Sequence, residues 1–533
     1  MMAPDALDTL LRGSAPHALL DVRERAAYER GHIYRATSVP RRLLEFRVPR
    51  LVTAKTTPIV VYDEDGGIAL PAAATLAAMG YRDVRVLEGA LAGWRAAGRR
   101  LVQGLNVPSK VFGEQALHRY HTPELTCAEL AARIDRGERM VIVDSRTPEE
   151  YSRGCIPGAV SMPGAELVLR IAELIPSPEV PIIVHCGGRT RSFIGAETVR
   201  RMGLPNPVIA LRNGTMGWQL DGFTLERGAS RWAPPVSEAS REVGERVAAR
   251  VATEDGVTMI DVKDVQDLLA RRDEHDVFFL DVRTAEEYAA GHPAGAAWAP
   301  GGQVIQATDE YVGVRAGTIV LTCDGFVRSV MTASWLLRMG FARVRVLRGG
   351  LPAWIAAGGE VETGQPAPVP FGYESARAAV ATITPAALQA ELKGGDAPAV
   401  IDVDPSDVHA RGHVPGATWL CRGRLELTLD AVAPPSRPVV VTCEDGVAST
   451  LAAATLAATG RRAVRVLAGG KRAWAAASLP TETGARLGDV ADDVVLKPYE
   501  RGRDAMEAYL RWETDLDNEG VSPHALLPGV PRP

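Results

Sequence analysis

The chain has 533 residues, of which 46% are hydrophobic and 23% are charged, and its net charge is −5 at pH 7. This length is too great for a single hydrophobic core and indicates about three or four domains. The composition is that of a globular protein, and the weakly acidic balance gives no reason to expect nucleic acid or an acidic membrane as a partner.

The N-terminal residues lack the basic stretch and apolar core of a secretory signal, and no apolar run approaches the length of a membrane span. Cysteine is sparse and forms no Cys-x-x-Cys pair; the six positions are Cys127, Cys155, Cys186, Cys323, Cys421 and Cys443. This usage fits a reducing compartment better than a disulfide framework. We therefore expect a cytoplasmic protein without a membrane partner.

One pattern occurs four times along the chain. A short apolar run leads to Asp21, Asp144, Asp281 and Asp402, and a Gly-x pair begins ten residues later in each copy. A second apolar run ends 42, 42, 42 and 41 residues beyond these aspartates, at Asp63, Cys186, Cys323 and Cys443. Each copy closes on a tryptophan, at Trp94, Trp218, Trp354 and Trp474. This register indicates four tandem copies of one domain.

Within the second copy, strand and helix patterns alternate along the chain. They predict a helix over 126–136, a strand over 140–143, a helical turn over 148–154, a strand over 182–185, a helix over 192–202, a strand over 207–211 and a further segment over 216–221. Strands that alternate with helices predict an α/β fold with a parallel sheet and right-handed crossovers.

The repeat also predicts the domain boundaries. The four domains are expected at 1–104, 105–228, 257–362 and 371–487, with linkers at 229–256 and 363–370. The second linker is rich in proline and should be extended and fairly stiff. Residues 488–533 form a tail with one helical pattern at 499–516, which we expect to cap one of the domains; a helix that binds a partner is the alternative.

The run Ile182-Ile183-Val184-His185 ends at Cys186 and predicts a buried parallel strand. The cysteine then lies at the carboxyl end of a strand, where open α/β sheets place their ligand sites. The two glycines that follow allow successive backbone N–H groups to converge on an anion. The next helix N-terminus and two arginines add positive potential that favours a thiolate, so Cys186 is the candidate nucleophile.

Four sequence elements recur in a fixed order: Asp-x-Arg, Gly-His-x-x-Gly-Ala, Cys-x-x-x-x-Arg after a strand, and Leu-x-Gly-Gly-x-x-Ala-Trp. Together they resemble the rhodanese (thiosulfate sulfurtransferase) family, and the chain resembles a tandem four-domain member over residues 7–484. The resemblance implies four small α/β domains, each around a parallel five-stranded sheet flanked by helices. It also implies a loop cysteine that becomes a persulfide, which needs a nucleophilic thiolate and N–H groups for anionic sulfur.

Loop length separates the branches of this family. Sulfur-transferring members resemble Cys-x4-Arg, whereas phosphatase-like members have a loop that is one residue longer. Cys186 and Arg191 frame a Cys-x4-Arg loop, which favours sulfur, and we predict that these two residues are catalytic. We predict that the rest of the loop binds the donor, with the arginines contacting the thiosulfate dianion: Gly187, Gly188, Arg189 and Thr190. The alternative for either arginine is a solvated residue at the start of a helix.

The other three loops depart from this pattern. Asp63 replaces the cysteine in the first domain, which therefore cannot carry a persulfide. The third domain keeps Cys323 and Arg328 and is a second candidate site, although Asp324 opposes a thiolate. The fourth has two acids after Cys443 and no arginine, so its thiol should stay protonated and the domain inactive.

Other polar residues have structural interpretations. His185 packs, hydrogen-bonds or acts as a base, and the histidines of the Gly-His pairs are expected to be structural: His32, His292 and His413. The resemblance implies that Asp144 and Arg146 form a pair that supports the loop. No His/Cys cluster has metal-ligand spacing and no phosphate or dinucleotide loop is present, so no cofactor is expected.

The sequence thus predicts a thiosulfate sulfurtransferase that moves sulfur from thiosulfate or a related donor to cyanide or a thiol. Its partners would be this small-molecule donor and acceptor, and a sulfur-accepting protein is a further candidate. One alternative is a persulfide carrier or docking protein that serves a protein partner. The other, disfavoured by the short loop, is an oxyanion enzyme such as a phosphatase or arsenate reductase.

Overall fold

The structure, a computed structural model, describes residues 1–365 and 369–516. Three residues of the proline-rich linker, 366–368, and residues 517–533 of the tail lie outside this part, so the expected stiffness of that linker is not addressed. Within the described residues, no helix is both long enough and apolar enough to cross a lipid bilayer. The chain forms four α/β units in tandem, which confirms the predicted fold class.

The first unit has a parallel sheet of four strands in the order β2-β1-β3-β4. Its strands are β1 (Ala18–Asp21), β2 (Thr37–Ser38), β3 (Ile59–Tyr62) and β4 (Val84–Val86). Its helices are α1 (Pro4–Arg12), α2 (Arg25–Arg30), α3 (Leu44–Leu51), α4 (Ala69–Ala78) and α5 (Ala90–Ala96), with a 3-10 turn at Arg41–Leu43. The predicted fifth strand is reduced to one parallel bridge, Met2 to Leu87, because α1 already begins at Pro4.

The second unit has five parallel strands in the order β5-β9-β8-β6-β7. They are β5 (Glu124–Leu125), β6 (Val141–Asp144), β7 (Val160–Ser161), β8 (Ile182–His185) and β9 (Val208–Leu211). The helices are α6 (Val107–Tyr120), α7 (Cys127–Asp135), α8 (Pro148–Arg153), α9 (Leu167–Arg170), α10 (Thr190–Arg200) and α11 (Gly214–Leu220), with 3-10 turns at Gly164–Glu166 and Ile171–Leu174. Capping boxes at Thr126 and Thr147 start α7 and α8.

The third unit repeats this sheet in the order β10-β15-β14-β11-β13. The strands are β10 (Thr258–Ile260), β11 (Val277–Asp281), β12 (His292–Pro293), β13 (Ala297–Trp298), β14 (Thr318–Thr322), β15 (Val344–Leu347) and β16 (Val361–Glu362). β12 and β16 form a separate antiparallel pair. The helices are α12 (Glu238–Glu254), α13 (Val262–Ala270), α14 (Ala285–Ala290), α15 (Gly301–Gln306), α16 (Val327–Arg338) and α17 (Gly350–Ala356), with a 3-10 turn at Thr308–Glu310.

The fourth unit has five parallel strands in the order β17-β21-β20-β18-β19. They are β17 (Ala381–Ile383), β18 (Ala399–Asp402), β19 (Thr418–Trp419), β20 (Val439–Thr442) and β21 (Val464–Leu467). The helices are α18 (Tyr373–Ala379), α19 (Pro385–Leu392), α20 (Ser406–Arg411), α21 (Leu425–Val432), α22 (Val447–Ala458) and α23 (Gly470–Ala476), with a 3-10 turn at Arg422–Arg424. The tail adds a 3-10 turn at Pro498–Glu500 and α24 (Arg503–Asp515).

The units pack against one another. One cluster of buried apolar residues runs through the first three units, whereas the fourth unit has clusters of its own. Most of the segment 229–256 forms α12, which packs against α9 and α16. Between the second and third units, the Trp335 indole N–H donates to the Thr198 hydroxyl at 2.9 Å. The candidate site is therefore surrounded by elements from several units.

Candidate active site

Cys186 follows β8 directly and begins the loop that leads into α10. The β-branched residues of β8 are fully buried, as expected for a central parallel strand, and they bring the thiol to the carboxyl edge of the sheet. Cys186 is 2% exposed, and the Ser192 hydroxyl donates to its Sγ at 3.1 Å. Because α10 begins at Thr190, two residues before the predicted start, its N-terminal N–H groups lie within the loop itself.

The carbonyl groups of the loop are held by the N-terminus of α11. Cys186 O accepts the Thr215 N–H at 2.9 Å, and Gly187 O accepts the Met216 N–H at 3.0 Å. A Cβ on Gly214, whose φ is +51°, would lie 2.2 Å from Cys186 O, so this close approach requires glycine. Since the peptide is planar and trans, a carbonyl that points to α11 directs the next N–H to the opposite side.

The first unit shows what this loop can bind. There the Asp63 carboxylate occupies the cysteine position and accepts the backbone N–H groups of Gly66, Ile68 and Ala69 at 2.6, 2.7 and 2.9 Å. The corresponding N–H groups in the second unit belong to Arg189, Arg191 and Ser192. In the fourth unit, the equivalent N–H of Ser449 donates to Cys443 Sγ at 3.3 Å. The loop backbone is thus a cradle for an anionic group at the cysteine position.

Arg191 lies next to this cradle and is paired with Glu150 of α8. Its two terminal nitrogens contact the two carboxylate oxygens at 2.7 and 2.8 Å. Burial favours the neutral carboxyl group, but the Arg191 charge outweighs it and holds the pKa of Glu150 well below its usual range. Gln303 of the third unit approaches the same guanidinium at 3.5 Å. Arg191 is therefore held in place at the edge of the Cys186 loop.

Arg189 is bonded to residues outside the loop. Its guanidinium makes two hydrogen bonds of 2.7 Å to the Glu114 carboxylate on α6 and one of 3.2 Å to the Asn213 side chain. Burial raises the pKa of Glu114, and the Arg189 charge opposes that rise. Arg189 is buried, so it is not the solvated helix-start residue of the alternative interpretation. Its predicted contact with substrate would have to be made beside Glu114.

Asp144, Arg146 and His185 form a buried polar group next to the loop. The Arg146 guanidinium donates to both Asp144 oxygens, at 2.9 and 2.6 Å, and to Gly154 O at 2.6 Å. His185 is fully buried with its Nε2 3.7 Å from Asp144, and burial lowers its pKa despite that carboxylate. The histidine is therefore neutral. The Asp144–Arg146 pair is present as the resemblance implied.

Two more residues at the loop come from distant parts of the chain and have no sequence pattern that marks them. The Thr190 hydroxyl donates to Glu513 Oε1 of α24 at 2.8 Å, and Lys110 of α6 approaches the same oxygen at 3.1 Å. Ser192, in contrast, could have been found from the repeat, since serine recurs six residues after each of the three loop cysteines. The site thus includes one repeated residue and two unique ones beyond the loop motif.

The third and fourth loops differ electrostatically from the second. Burial raises the pKa of Cys323; Arg328 opposes this rise and Asp324 adds to it. The Arg328 guanidinium is shared among three carboxylates, those of Glu166, Asp324 and Glu287.

Burial also raises the pKa of Cys443, to about 11, with hydrogen bonds from Ser449 opposing the rise. The thiols of Cys323 and Cys443 are therefore both disfavoured as thiolates.

The three histidines of the Gly-His pairs lie in stacked pairs of rings. Their ring centroids lie 3.6–4.0 Å from those of Tyr28, Tyr288 and His409. Each Nδ1 is hydrogen-bonded to the backbone oxygen of the same neighbour. These contacts give His32, His292 and His413 structural positions.

The sequence of each unit matches a known family. The Rhodanese-like domain matches four times, at residues 3–97, 126–221, 264–357 and 384–477. The chain belongs to the rhodanese-like domain family. The matched segments contain all four sheet-to-helix loops, so this rhodanese chain repeats the site position four times and keeps a cysteine at three of them.

Individual relatives extend the comparison over the whole chain. The crystal structure of a thiosulfate sulfurtransferase from Pseudomonas aeruginosa has a TM-score of 0.90, is 39% identical and covers 97% of both chains. The putative thiosulfate sulfurtransferase SseB of Mycobacterium tuberculosis is 32% identical over 197 residues, which are 31% of this chain and 66% of that protein. The putative sulfur carrier protein YrkF of Bacillus subtilis is 34% identical over 96 residues, which cover 18% of this chain and 50% of YrkF.

Proposed function

We propose that this protein is a cytoplasmic sulfurtransferase that moves sulfane sulfur from thiosulfate or a related donor to a thiophilic acceptor. The observation that carries the proposal is the Cys186 loop, in which a buried thiol at the end of β8 accepts a hydrogen bond from Ser192 and begins a loop equivalent to the N–H cradle of the first unit. The equivalent loop of the first unit holds the Asp63 carboxylate through three backbone N–H groups. The P. aeruginosa thiosulfate sulfurtransferase, which matches over the full length, supports the choice of donor.

The reaction proceeds in two displacements at one sulfur atom. The Cys186 thiolate attacks the outer sulfur of thiosulfate, the S–S bond breaks, and sulfite leaves with the electron pair. The acceptor, cyanide or a thiolate, then attacks the outer sulfur of the persulfide and releases the Cys186 thiolate. The loop N–H groups stabilise the anionic sulfur in both steps.

The residues around the thiol have separate roles in this proposal. Cys186 carries the sulfur, and Arg191, fixed by Glu150, supplies positive potential to the persulfide. Gly187 and Gly188 let the loop backbone approach the anion, and Arg189 and Thr190 contribute to the donor side of the site. Ser192 donates to Sγ and favours the thiolate.

We further propose that the four domains, with the boundaries predicted above, divide the work. The first is inactive because Asp63 fills its cradle, and the fourth is inactive because Cys443 stays protonated. The third, with Cys323 and Arg328, is a second candidate site whose thiol is less acidic than a free cysteine. All six cysteines are free, which fits the reducing cytoplasm.

The second candidate function is a persulfide carrier that serves a protein partner, and the similarity to the putative sulfur carrier YrkF favours it. A carrier must present its sulfur to another protein, whereas Cys186 is 2% exposed. A phosphatase or arsenate reductase is disfavoured because the Cys186 loop is of the short Cys-x4-Arg type.

The deciding experiment is the intact mass of the protein after thiosulfate treatment, followed by peptide mapping. We expect one added sulfur atom on the peptide that contains Cys186 and its loss on adding cyanide, with ping-pong kinetics in steady state. No added sulfur would reject the sulfurtransferase. A stable persulfide that neither cyanide nor small thiols discharge would instead support the carrier.

A further inference from the structure

The helix α24 covers the Cys186 loop. Its apolar residues Met506 and Leu510 pack with Met216 of α11, and the Trp512 ring lies where a Cβ on Gly104 would stand. The Arg503 guanidinium donates to Leu220 O at 3.0 Å. The tail helix is thus held against the second unit and against the end of the first.

Comparison of the four loops shows that this cover is specific to the second unit. Two residues after the cysteine position, Gly188 is buried, whereas Gly325 is half-buried and Asp65 and Asp445 are exposed. The difference arises because Tyr509 and Glu513 of α24 lie within 3.5 Å of the position of a Gly188 Cβ. Only the second loop combines the short Cys-x4-Arg motif with the absence of acidic residues, and this is the loop that α24 covers.

Glu513 of α24 is a fully buried carboxylate next to the Cys186 loop. Its Oε1 accepts the Thr190 hydroxyl and Lys110 Nζ, at 2.8 and 3.1 Å. Its Oε2 has no hydrogen-bond partner among the described residues and lies 3.1 Å from the position of a Gly188 Cβ. A carboxylate with an unbonded oxygen next to the loop is an incomplete arrangement, because a buried polar atom without a partner is costly.

Lys110 is the cation of this arrangement. It lies on α6 one turn before Glu114, and between them Gly113 packs so closely on Thr190 that a Cβ would come within 2.8 Å. Burial acts to lower the pKa of Lys110, but Glu513 outweighs it, with smaller contributions from Tyr509 and from Cys186, so the pKa is raised and the ammonium is charged. Burial raises the pKa of Tyr509 to about 12, so this phenol is neutral.

The two loop arginines are bonded differently from Lys110. Arg189 and Arg191 each donate one hydrogen bond to each oxygen of a carboxylate, that of Glu114 and that of Glu150 respectively. An ammonium group has three N–H donors; Lys110 donates to a single oxygen of Glu513 at 3.1 Å and also interacts with the Tyr509 phenol oxygen. Lys110 is therefore the one of these three cations that is not held at both oxygens of a carboxylate, and one of its N–H donors remains for an anionic partner.

We propose that Lys110 binds the anionic end of the sulfur donor at the Cys186 loop and that Glu513 on α24 sets the strength of this contact. The inference rests on the proposed function and specifies its donor as a small anion whose outer sulfur reaches Cys186 while its oxygens accept from Lys110. Because α24 covers the loop, a small donor is favoured over a protein one. Lys110 and Glu513 lie outside the four segments that match the rhodanese-like domain.

The test compares two variants that should shift donor binding in opposite directions. Lys110→Met removes the cation and should raise the KM for thiosulfate about tenfold or more, as expected for a charge-assisted contact. Glu513→Gln removes the competing negative charge and should lower that KM about threefold. Lys110→Arg should keep KM within about threefold of wild type, since it retains the charge. The KM for cyanide should be unchanged in all three.

Two controls separate recognition of charge from loss of structure. Lys263→Met removes an exposed lysine that is also paired with a carboxylate four residues away, and it should leave every constant unchanged. A neutral organic trisulfide, used as the donor in place of thiosulfate, should show no difference between Lys110→Met and wild type. Thermal unfolding of each variant checks that the fold is intact.

The outcomes distinguish this inference from the proposed function. If thiosulfate does not load Cys186 in the wild type, the proposed function fails. If Cys186 loads but Lys110→Met leaves the KM for thiosulfate unchanged, Lys110 is not the donor-binding cation. If Lys110→Met and Glu513→Gln both raise KM, the pair has a purely structural role and the inference is overturned. Should Lys110→Met fail to fold, the lowered KM of Glu513→Gln and the retained KM of Lys110→Arg decide the question.

Discussion

The Asp63 carboxylate accepts the Ile68 backbone N–H at 2.7 Å, in the loop position that corresponds to Cys186 in the second unit. The two residues lie at equivalent ends of equivalent strands, β3 and β8, each 42 residues beyond the repeated aspartate. The first unit is thus an internal example of the anion-bound loop. Its own side chain supplies the negative charge that a thiolate or persulfide supplies in the second.

This equivalence predicts the effect of removing the Asp63 side chain. Asp63→Ala leaves three backbone N–H groups without their acceptor, so we expect a loss of about 2–3 kcal/mol in unfolding free energy. Sulfur transfer should stay the same, because the first unit carries no thiol at this position. Asp65→Ala, which removes an exposed carboxylate two residues away, is the matched control. Thermal unfolding and thiosulfate:cyanide transfer measure both effects, and a large loss of transfer with Asp63→Ala would contradict the division of labour.

A second prediction concerns the serine that recurs six residues after each loop cysteine. Ser192→Ala removes the hydroxyl that donates to Cys186 Sγ, and it should lower kcat/KM for thiosulfate about three- to tenfold, or roughly 1 kcal/mol. The same change in the fourth unit, Ser449→Ala, removes an equivalent contact of 3.3 Å and should have no effect on transfer. Equal rates for wild type and Ser192→Ala would show that the hydroxyl does not assist the thiolate.

Much of the sheet framework could be predicted from the sequence. The bounds of β8, Ile182–His185, agree with the prediction because an uninterrupted β-branched run before a glycine pair has few other interpretations. The start of α10 is harder to predict from the sequence, since no pattern separates Thr190 from the loop. In the first unit, the repeat register predicts a fifth strand, but Met2 makes only a single bridge there. The register alone does not reveal this shortening.

The surroundings of the site could not be predicted in the same way. Arg189 pairs with Glu114, 75 residues away, and Thr190 with Glu513, 323 residues away. Neither acid belongs to the repeat, so comparison of the four copies does not reveal it. Local patterns report on a residue's own helix or strand, whereas these pairs depend on how α6 and α24 dock on the second unit.

The Cys443 thiol gives a prediction about pH. Its pKa of about 11 means that at pH 8 only about one thiol in a thousand is a thiolate. Thiosulfate should therefore leave Cys443 unmodified at pH 8, and Cys443→Ser should keep the wild-type transfer rate. Because the thiol loses its proton only as pH approaches 11, alkylation of Cys443 by iodoacetamide should rise steadily between pH 8 and pH 10. Peptide mass mapping measures it, and fast alkylation at pH 7 would contradict the raised pKa.

The Arg191–Glu150 pair predicts a pH-dependent stability. Glu150→Gln leaves the Arg191 guanidinium without its carboxylate and should cost about 1–3 kcal/mol at pH 7. The pKa of Glu150 in the folded protein lies below its ordinary value of 4.5, so its stabilising effect is present above pH 4.5 and is lost as pH falls below that value. The difference between wild type and Glu150→Gln should therefore shrink in acid. Glu149→Gln, an exposed neighbour, is the control, and a difference that grows below pH 4.5 would reverse the assignment.

The last prediction concerns which thiol carries the sulfur. Cys186→Ser keeps nearly the same shape but cannot form a persulfide, so thiosulfate:cyanide transfer should fall by at least about a hundredfold, or roughly 3 kcal/mol, while thermal unfolding is unchanged. Cys323→Ser should keep most of the rate, because burial and Asp324 raise the pKa of that thiol and Arg328 is shared among three carboxylates. Transfer that persists in Cys186→Ser and vanishes in Cys323→Ser would place the active site in the third unit. A slow residual rate in Cys186→Ser that disappears in the double variant would identify Cys323 as a weak second site.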